Sequence, residues 1–157
     1  MVRDFIITAN VKYGGTVYNN RVYFGGINSV TDWTIGTNQT DIQDIPDSGE
    51  ITGIVGGEVG TVFLQRGIAR MNYVGSPIVF TVDRIETNNG CEIPGSIAAL
   101  GSNAIFYLSP NGFYLFNGSK SVPIGAEKVD QFFFDDLNPA FHHRVSSLLL
   151  KTRARAP

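Results

Sequence analysis

The apolar positions of the chain recur in short runs that are typical of β-strands. The triplet Val22-Tyr23-Phe24 is followed after 40 residues by Val62-Phe63-Leu64, and after a further 43 by Ile105-Phe106-Tyr107. A run of small and apolar residues that ends in glycine precedes the second and third triplets, at residues 51–56 and 96–101. We interpret this recurrence as a structural repeat.

Each of the last two triplets is followed by a predicted tight turn and further strands. The turns are Gln65-Arg66-Gly67 and Ser109-Pro110-Asn111-Gly112, and the strands after them are predicted at 68–71, 78–82, 113–116 and 121–124. Asn111-Gly112 and Asn117-Gly118 provide residues that tolerate the positive φ of hairpin turns. The pattern therefore predicts an antiparallel meander of about four strands per repeat.

A repeat of about 40–45 residues with four strands has the size of one β-propeller blade. We therefore predict an all-β fold with about three propeller-like blades, at about 5–45, 50–90 and 95–126, within a domain at 1–143. Closed propellers have about four to eight blades. The chain is accordingly a fragment of a longer protein, an open wedge, or a protomer that completes a ring with copies of itself.

Two segments break the strand pattern. The polar segment 38–50 is predicted to be a loop between blades. One short C-terminal helix is predicted over 127–137, because Val129, Phe132, Phe133 and Leu137 fall at helical spacing. The exposed face of that helix is predicted to carry Lys128, Gln131 and Asp135.

Composition agrees with short strands and tight turns. Glycine accounts for 18 of the 157 residues, and only 17% of residues are charged, below the roughly 25% that is usual. These values argue against a helical bundle or a coiled coil. The single cysteine, Cys91, excludes an internal disulfide framework. No apolar run reaches the length of about 18 residues that a membrane span needs, and the N-terminus lacks the layout of a signal peptide.

Charge is divided unevenly along the chain. Residues 144–157 contain four basic residues and no acid, whereas residues 1–143 contain 8 basic and 14 acidic residues, a net charge of −6. We predict that 144–157 is a basic tail, either disordered or a truncated end. An acidic body is a poor surface for binding nucleic acid.

Several side chains are of types that bind metal ions or act in catalysis. Asp41, Asp44 and Asp47 have three-residue spacing rather than the alternate spacing that is usual for calcium ligands, which favours a solvated acidic loop. His142 and His143 follow Asp135-Asp136, but adjacent histidines point in different directions, which favours a surface or interface pair. Cys91 is interpreted as a small buried structural residue.

The remaining candidates also favour non-catalytic interpretations. A glycosidase needs two acids across a sugar, and nothing in the sequence pairs Glu50, Glu58, Glu86 or Glu92. Arg66, Arg70 and Arg84 are predicted to pair with local acids. The glycosylation patterns at Asn38 and Asn117 are interpreted as incidental, and the second as a turn. The sequence thus predicts no enzyme, catalytic residue, metal or cofactor.

Residues 20–147 resemble the tail hub or nozzle proteins of short-tailed bacteriophages, including the packaged-DNA stabilisation proteins. The resemblance lies in the order and spacing of seven elements: Asn20-Arg21-Val22-Tyr23-Phe24, Ile51-Thr52-Gly53, 66–71 with Tyr73-Val74-Gly75, 90–97, 111–118, Ile124-Gly125 and 134–138. The resemblance is partial, because members of that family are longer and continue into further strands.

The resemblance implies a structural role in the virion tail, made in the host cytoplasm. Such proteins assemble as rings below the portal, bind other tail or portal-adaptor proteins, and form part of the channel through which DNA leaves. DNA would pass without sequence-specific binding. The alternative is a carbohydrate- or protein-binding β-propeller module, for which Trp33 and Tyr114 are the candidate exposed aromatics.

Overall fold

The computed structural model describes residues 1–101, 103–127 and 129–148. Within these residues, the strands form three antiparallel sheets. The first sheet has the order β1-β2-β3, with strands Ile7–Tyr13, Thr16–Phe24 and Asp41–Asp44. The second has the order β4-β5-β6-β7, with strands Ile51–Val55, Gly60–Leu64, Gly67–Gly75 and Val79–Glu86. The third has the order β8-β9-β10-β11, with strands Ala98–Ala99, Ile105–Ser109, Gly112–Phe116 and Ser121–Pro123.

The predicted all-β fold is confirmed. The second and third sheets are four-stranded meanders in chain order, and their strands begin and end within 50–90 and 95–126. The first sheet has three strands, within 5–45. Most of the predicted basic tail, residues 149–157, lies outside the described residues.

The prediction that 38–50 is entirely a loop is wrong, because this segment contains β3. Ile42 pairs with Tyr23 of β2, and Asp44 pairs with Arg21. Ile45, directly after β3, is buried in the core. This short edge strand contains only one apolar residue, Ile42, so the polar composition of the segment concealed it.

Strand β1 was not predicted, although its apolar residues alternate at 7, 9 and 11. The pairing with β2 shifts register between Ala9 and Val11, where Asn10 has a φ of 53°. An extra residue of this kind bends a strand and interrupts its alternation. The bulge therefore weakens the sequence signal of β1.

The three sheets stack face to face, with the second sheet in the middle. Alternate side chains of β5 enter two cores, because successive residues of a strand point to opposite faces. Val62 and Leu64 face the first sheet, whereas Phe63 faces the third. The N-terminal core contains Phe5, Val22, Phe24, Val62, Leu64, Met71 and Phe80. The C-terminal core contains Phe63, Ile68, Cys91, Ile105, Tyr107 and Phe116.

The predicted C-terminal helix is present but shorter than 127–137. Helix α1 spans Asp130–Asp136, and a 3-10 helix, Pro139–Arg144, follows it. The approach of Pro139 explains the early end, since the residue before a proline disfavours helical geometry. No helix of the described segments has the length and apolarity needed to span a membrane.

Helix α1 packs on the third sheet through only part of its apolar face. The rings of Phe133 and Phe113 lie 4.9 Å apart between centroids. Phe132, predicted on the same face as Phe133, is instead 77% exposed. Gln131 and Asp135 are exposed as predicted, and Lys128 lies outside the described residues.

Candidate functional site

The three aspartates of segment 38–50 do not converge on one point. Asp41 Oδ1 accepts a hydrogen bond from the backbone N–H of Ile42. Asp44 accepts two bonds from Arg21 of β2, at 2.5 and 2.8 Å, and Asp47 accepts from Arg84 of β7 at 2.9 Å. The guanidinium of Arg21 lowers the pKa of the Asp44 carboxyl, and that carboxylate raises the pKa of Arg21. Asp44 and Asp47 therefore tie segment 38–50 to neighbouring strands, whereas Asp41 bonds within the segment.

The two adjacent histidines lie in different surroundings. The ring of His143 is exposed beside Phe141, at 6.2 Å between centroids. His142 lines a cavity of about 250 Å³ between the third sheet and the C-terminal helices. The walls of that cavity are mainly apolar, and Glu92 and Ser109 also contribute to them.

Ser109 is the one buried polar side chain of the described residues whose oxygen has no hydrogen-bond partner. Its Oγ lies inside the wall rather than on the accessible surface of the cavity, because less than 1 Å² of that atom is exposed. Ser109 Oγ therefore makes no hydrogen bond to His142 or Glu92. The cavity thus brings these three residues together without a nucleophile–base contact of the kind that catalysis needs.

Cys91 is buried, as the sequence predicted. Its Sγ donates to the carbonyl of Ile93 over 3.1 Å and lies 3.3 Å from Ser96 Oγ. Burial raises the pKa of the Cys91 thiol. A thiol held neutral in this way is a poor nucleophile.

The four glutamates that a glycosidase interpretation would need have separate structural contacts. Glu50 accepts from Asn19, and Glu58 lies 3.5 Å from Arg3. Glu86 accepts the backbone N–H of Ser121 over 2.6 Å, which joins the second sheet to the third. Glu92 lines the cavity described above. Within the described ranges, no cluster of three or more histidine, cysteine, aspartate or glutamate side chains could hold a metal ion.

One of the three arginines of the second repeat pairs with an acid, as predicted. Arg84 contacts Asp47, whereas the ion pairs found in the described residues do not include Arg66 or Arg70. Arg70 lies opposite Asp83 across β6 and β7. The three guanidinium groups therefore have different neighbours, and the two that lie on strands each have an acid beside them.

The asparagines of the two glycosylation patterns contribute to turns. Asn117 Oδ1 accepts from the backbone N–H groups of Ser119 and Lys120, both at 3.0 Å, and Asn38 Nδ2 donates to the Ile27 carbonyl.

The two aromatics predicted as carbohydrate platforms, Trp33 and Tyr114, are half-buried and pack on neighbouring tyrosine rings. Trp33 meets the edge of Tyr23 at 5.3 Å, and its indole N–H donates to the Val30 carbonyl. Tyr114 stacks on Tyr107 at 5.8 Å, against the C-terminal core. Burial raises the pKa of Tyr107 to about 12. Neither ring forms an open platform for a sugar.

An incompletely covered apolar surface lies on the outer face of the third sheet, which faces away from the second. Phe106, Leu115 and Val122 form a row across this face, because they pair in register across β9, β10 and β11. A shallow groove beside the row is lined by Phe106, Phe113, Ile124, Gly125 and Val129.

This outer face was not predicted, although β9 and β10 carry a signal for it. Both strands read as continuous apolar runs, at 105–108 and 113–116, rather than alternating with polar residues. Runs of this kind are typical of strands that are covered on both faces.

No protein-family model matches the chain, and no curated protein matches it. Inference about function therefore depends on the residues and surfaces described above.

Proposed function

We propose that this protein is a structural component of the tail hub or nozzle of a short-tailed bacteriophage. In that role it forms part of the DNA-ejection channel and binds other tail or portal-adaptor proteins. The observation that supports this best is the stack of three blade-like sheets, which ends in an apolar face that the described residues cover only in part. A surface of this kind is typical of a protein that is completed by partners. The order of sequence elements that resembles tail hub proteins gives the partner class.

The titratable groups support a structural rather than a catalytic role. Asp44, Asp47, Glu50, Glu58 and Glu86 all contact groups within the protein. Cys91 is buried, with a raised thiol pKa. An enzyme would need a nucleophile or acid–base pair directed at one open site, and these groups are committed to packing.

The test is the location of the protein in the particle. Purified virions carrying an epitope-tagged chain should be labelled at the tail vertex, and chemical cross-linking should join the chain to portal or tail proteins. A control phage carrying the tag on a major capsid protein should be labelled over the whole shell. Absence of the chain from purified virions would contradict the proposal.

The acidic body gives a second test of the channel role. Residues 1–143 have a net charge of −6, which repels the phosphates of passing DNA. The full chain keeps a net charge of −2 with its basic residues 144–157 included, so it should fail to shift duplex DNA in a gel at low salt, where non-specific affinity is greatest. Retention of DNA with a Kd in the low micromolar range at moderate salt would contradict a non-adhesive channel surface.

A further inference from the structure

A polar cleft of about 260 Å³ lies between the second and third sheets, at the end where β4 turns into β5 and β8 turns into β9. One water takes about 30 Å³ in the liquid, so the cleft has room for a small organic group. The β4–β5 turn, the paired strands β5 and β6, and two turns of the third sheet supply its lining, which consists of Glu58, Val59, Thr61, Arg70, Asn103 and Gly118.

Thr61 and Arg70 form the wall that the second sheet provides. The two residues are direct partners across β5 and β6. Their neighbours Val62, Ala69 and Met71 enter the N-terminal core. Successive residues of a strand point to opposite faces, so Thr61 and Arg70 both face the third sheet. A hydroxyl and a guanidinium group are therefore adjacent on this wall.

The hydroxyl of Thr61 lacks a hydrogen-bond partner among the residues that the structure describes. Thr61 is only 4% exposed, and Ser109 is the one described residue with a side-chain polar atom that is both unpartnered and sealed from solvent. Thr61 Oγ1 is therefore accessible, and the cleft that Thr61 lines is the space it opens into. Buried hydroxyls are normally hydrogen-bonded, so a group inside the cleft would satisfy this one.

Arg70 is half-buried, and the ion pairs of the described part of the chain do not include it. Asp83, which lies opposite Arg70 on β7, accepts a hydrogen bond from Asn72 over 2.9 Å instead. Glu58, the other charged residue of the lining, lies 3.5 Å from Arg3. A guanidinium group that is partly removed from water needs an anionic partner to offset its desolvation. The cleft thus contains one such group that no carboxylate of the described residues contacts.

We propose that this cleft binds a carboxylate group. The planar fork of the Arg70 guanidinium matches the two oxygens of a carboxylate. The hydroxyl of Thr61 and the side-chain amide of Asn103 are further donors in the same lining. A carboxylate carries one negative charge, as the single unpaired guanidinium requires. A doubly charged oxyanion would bring a second negative charge close to Glu58.

The carboxylate has two possible sources, a free small acid or an acidic side chain of another protein. Both present the same group to the same donors, so the experiment below separates them. The site does not depend on the proposed tail role, and virion labelling is independent of it.

Titration of the ¹⁵N-labelled full chain with sodium acetate, followed by NMR, tests the proposal first. Sodium chloride keeps the ionic strength constant, so that screening does not change. The backbone amides of residues 61, 70, 103 and 118 should shift together and saturate with a Kd of about 1–10 mM, as expected for a few hydrogen bonds to one charge. Absence of a saturable shift would overturn the proposal. Sulfate that bound as tightly as acetate would also overturn it, because the site would then not select a single charge.

Substitutions connect the affinity to the named donors. Arg70→Gln should weaken acetate binding by at least about tenfold. Arg70→Lys keeps the charge but loses the fork, so it should weaken binding by about threefold or more, and it carries the test if Arg70→Gln does not fold. Thr61→Val removes the hydroxyl with little change of shape and should also cost about threefold.

Arg66→Gln is the matched control for the variants at Arg70. Arg66 is exposed in the β5–β6 turn, at the opposite end of β5 from Thr61, so its loss should leave the Kd unchanged. An unchanged Kd in the Arg70 variants, or an equal loss in Arg66→Gln, would overturn the proposal.

Peptides identify the source of the carboxylate. A peptide with blocked ends and a single glutamate should compete with acetate, whereas the same peptide with glutamine should not. Tighter binding of the glutamate peptide than of acetate identifies the side chain of a partner protein as the ligand, and equal affinity identifies a free acid. Both results support the carboxylate site. Equal binding of the two peptides would overturn it, because the peptide backbone rather than the carboxylate would then be recognised.

Discussion

Cys91 lies at the centre of the C-terminal core, and no part of it is exposed to solvent. Its Sγ donates to the Ile93 carbonyl, and Ser96 Oγ, which lies beside it, accepts the backbone N–H of Leu108 over 3.0 Å. This short network joins the segment before the third sheet to β9. The residue therefore reports on the packing of the second sheet against the third.

The thiol of Cys91 should be inert in the folded protein. Burial both raises its pKa and blocks access to it. A thiol reagent at pH 8 should leave it unreacted for as long as the core stays closed and should react fully in denaturant. Val74→Cys, which adds an exposed thiol, is the control and should react within seconds. Rapid reaction of native Cys91 would show that the C-terminal core opens readily.

The ion pair between Arg21 and Asp44 gives a second residue-scale prediction. The pKa of Asp44 is lowered in the folded protein, so the stabilisation is present above the ordinary aspartate pKa of about 3.9 and is lost as the pH falls through the lowered value. The stability advantage of the wild type over Asp44→Asn should therefore shrink between about pH 5 and pH 2. Urea unfolding at each pH measures it. A difference that stays constant over this range would contradict the assignment.

Among the elements, the β9–β10 hairpin and helix α1 depend on each other through Gly112. Gly112 has a φ of 134°, and a Cβ at this position would lie 2.9 Å from Cγ of Asp130. The Asp130 carboxylate accepts the backbone N–H of Phe113 over 3.1 Å. A side chain at 112 would therefore strain the turn and displace the first residue of the helix.

Gly112→Ala should lower the free energy of unfolding by about 2–3 kcal/mol, because strain and displacement add. Gly75→Ala is the matched control: Gly75 also has a positive φ, of 84°, but a Cβ added there would meet no atom within 4 Å. It should cost only about 1 kcal/mol. Equal losses in the two variants, measured by urea unfolding, would show that Asp130 adds nothing to the turn.

Whether the sequence could predict a strand depended on how many apolar residues that strand carries. Strands β5, β9 and β10 were predictable because they are apolar on both faces, and the start of β6 because its apolar residues follow a turn that contains glycine. Strand β3 was not, since an edge strand of four residues needs few apolar side chains. The bulge at Asn10 concealed β1. The exposure of Phe132 could not be predicted, because helical spacing shows that residues share a face but not whether a neighbour covers it.

For the whole molecule, the middle position of the second sheet couples the two cores. Val62 and Leu64 pack in one core and Phe63 in the other, although the three are consecutive residues of β5. A displacement of β5 therefore disturbs both cores at once. Stacked repeats with weaker interfaces unfold in parts, so cooperativity measures how strongly the sheets are joined.

Unfolding should be a single transition that includes all three sheets. Trp33, the one tryptophan of the sequence, packs on Tyr23 of the first sheet and gives a fluorescence signal, and labelling of Cys91 reports on the C-terminal core. Both probes should give one urea midpoint. Phe63→Ala removes a ring from the C-terminal core only, yet it should lower the stability seen by both probes by about 3–5 kcal/mol. If the fluorescence midpoint stayed in place while Cys91 became reactive, the first two sheets would be an independent unit, and β5 would not couple the cores.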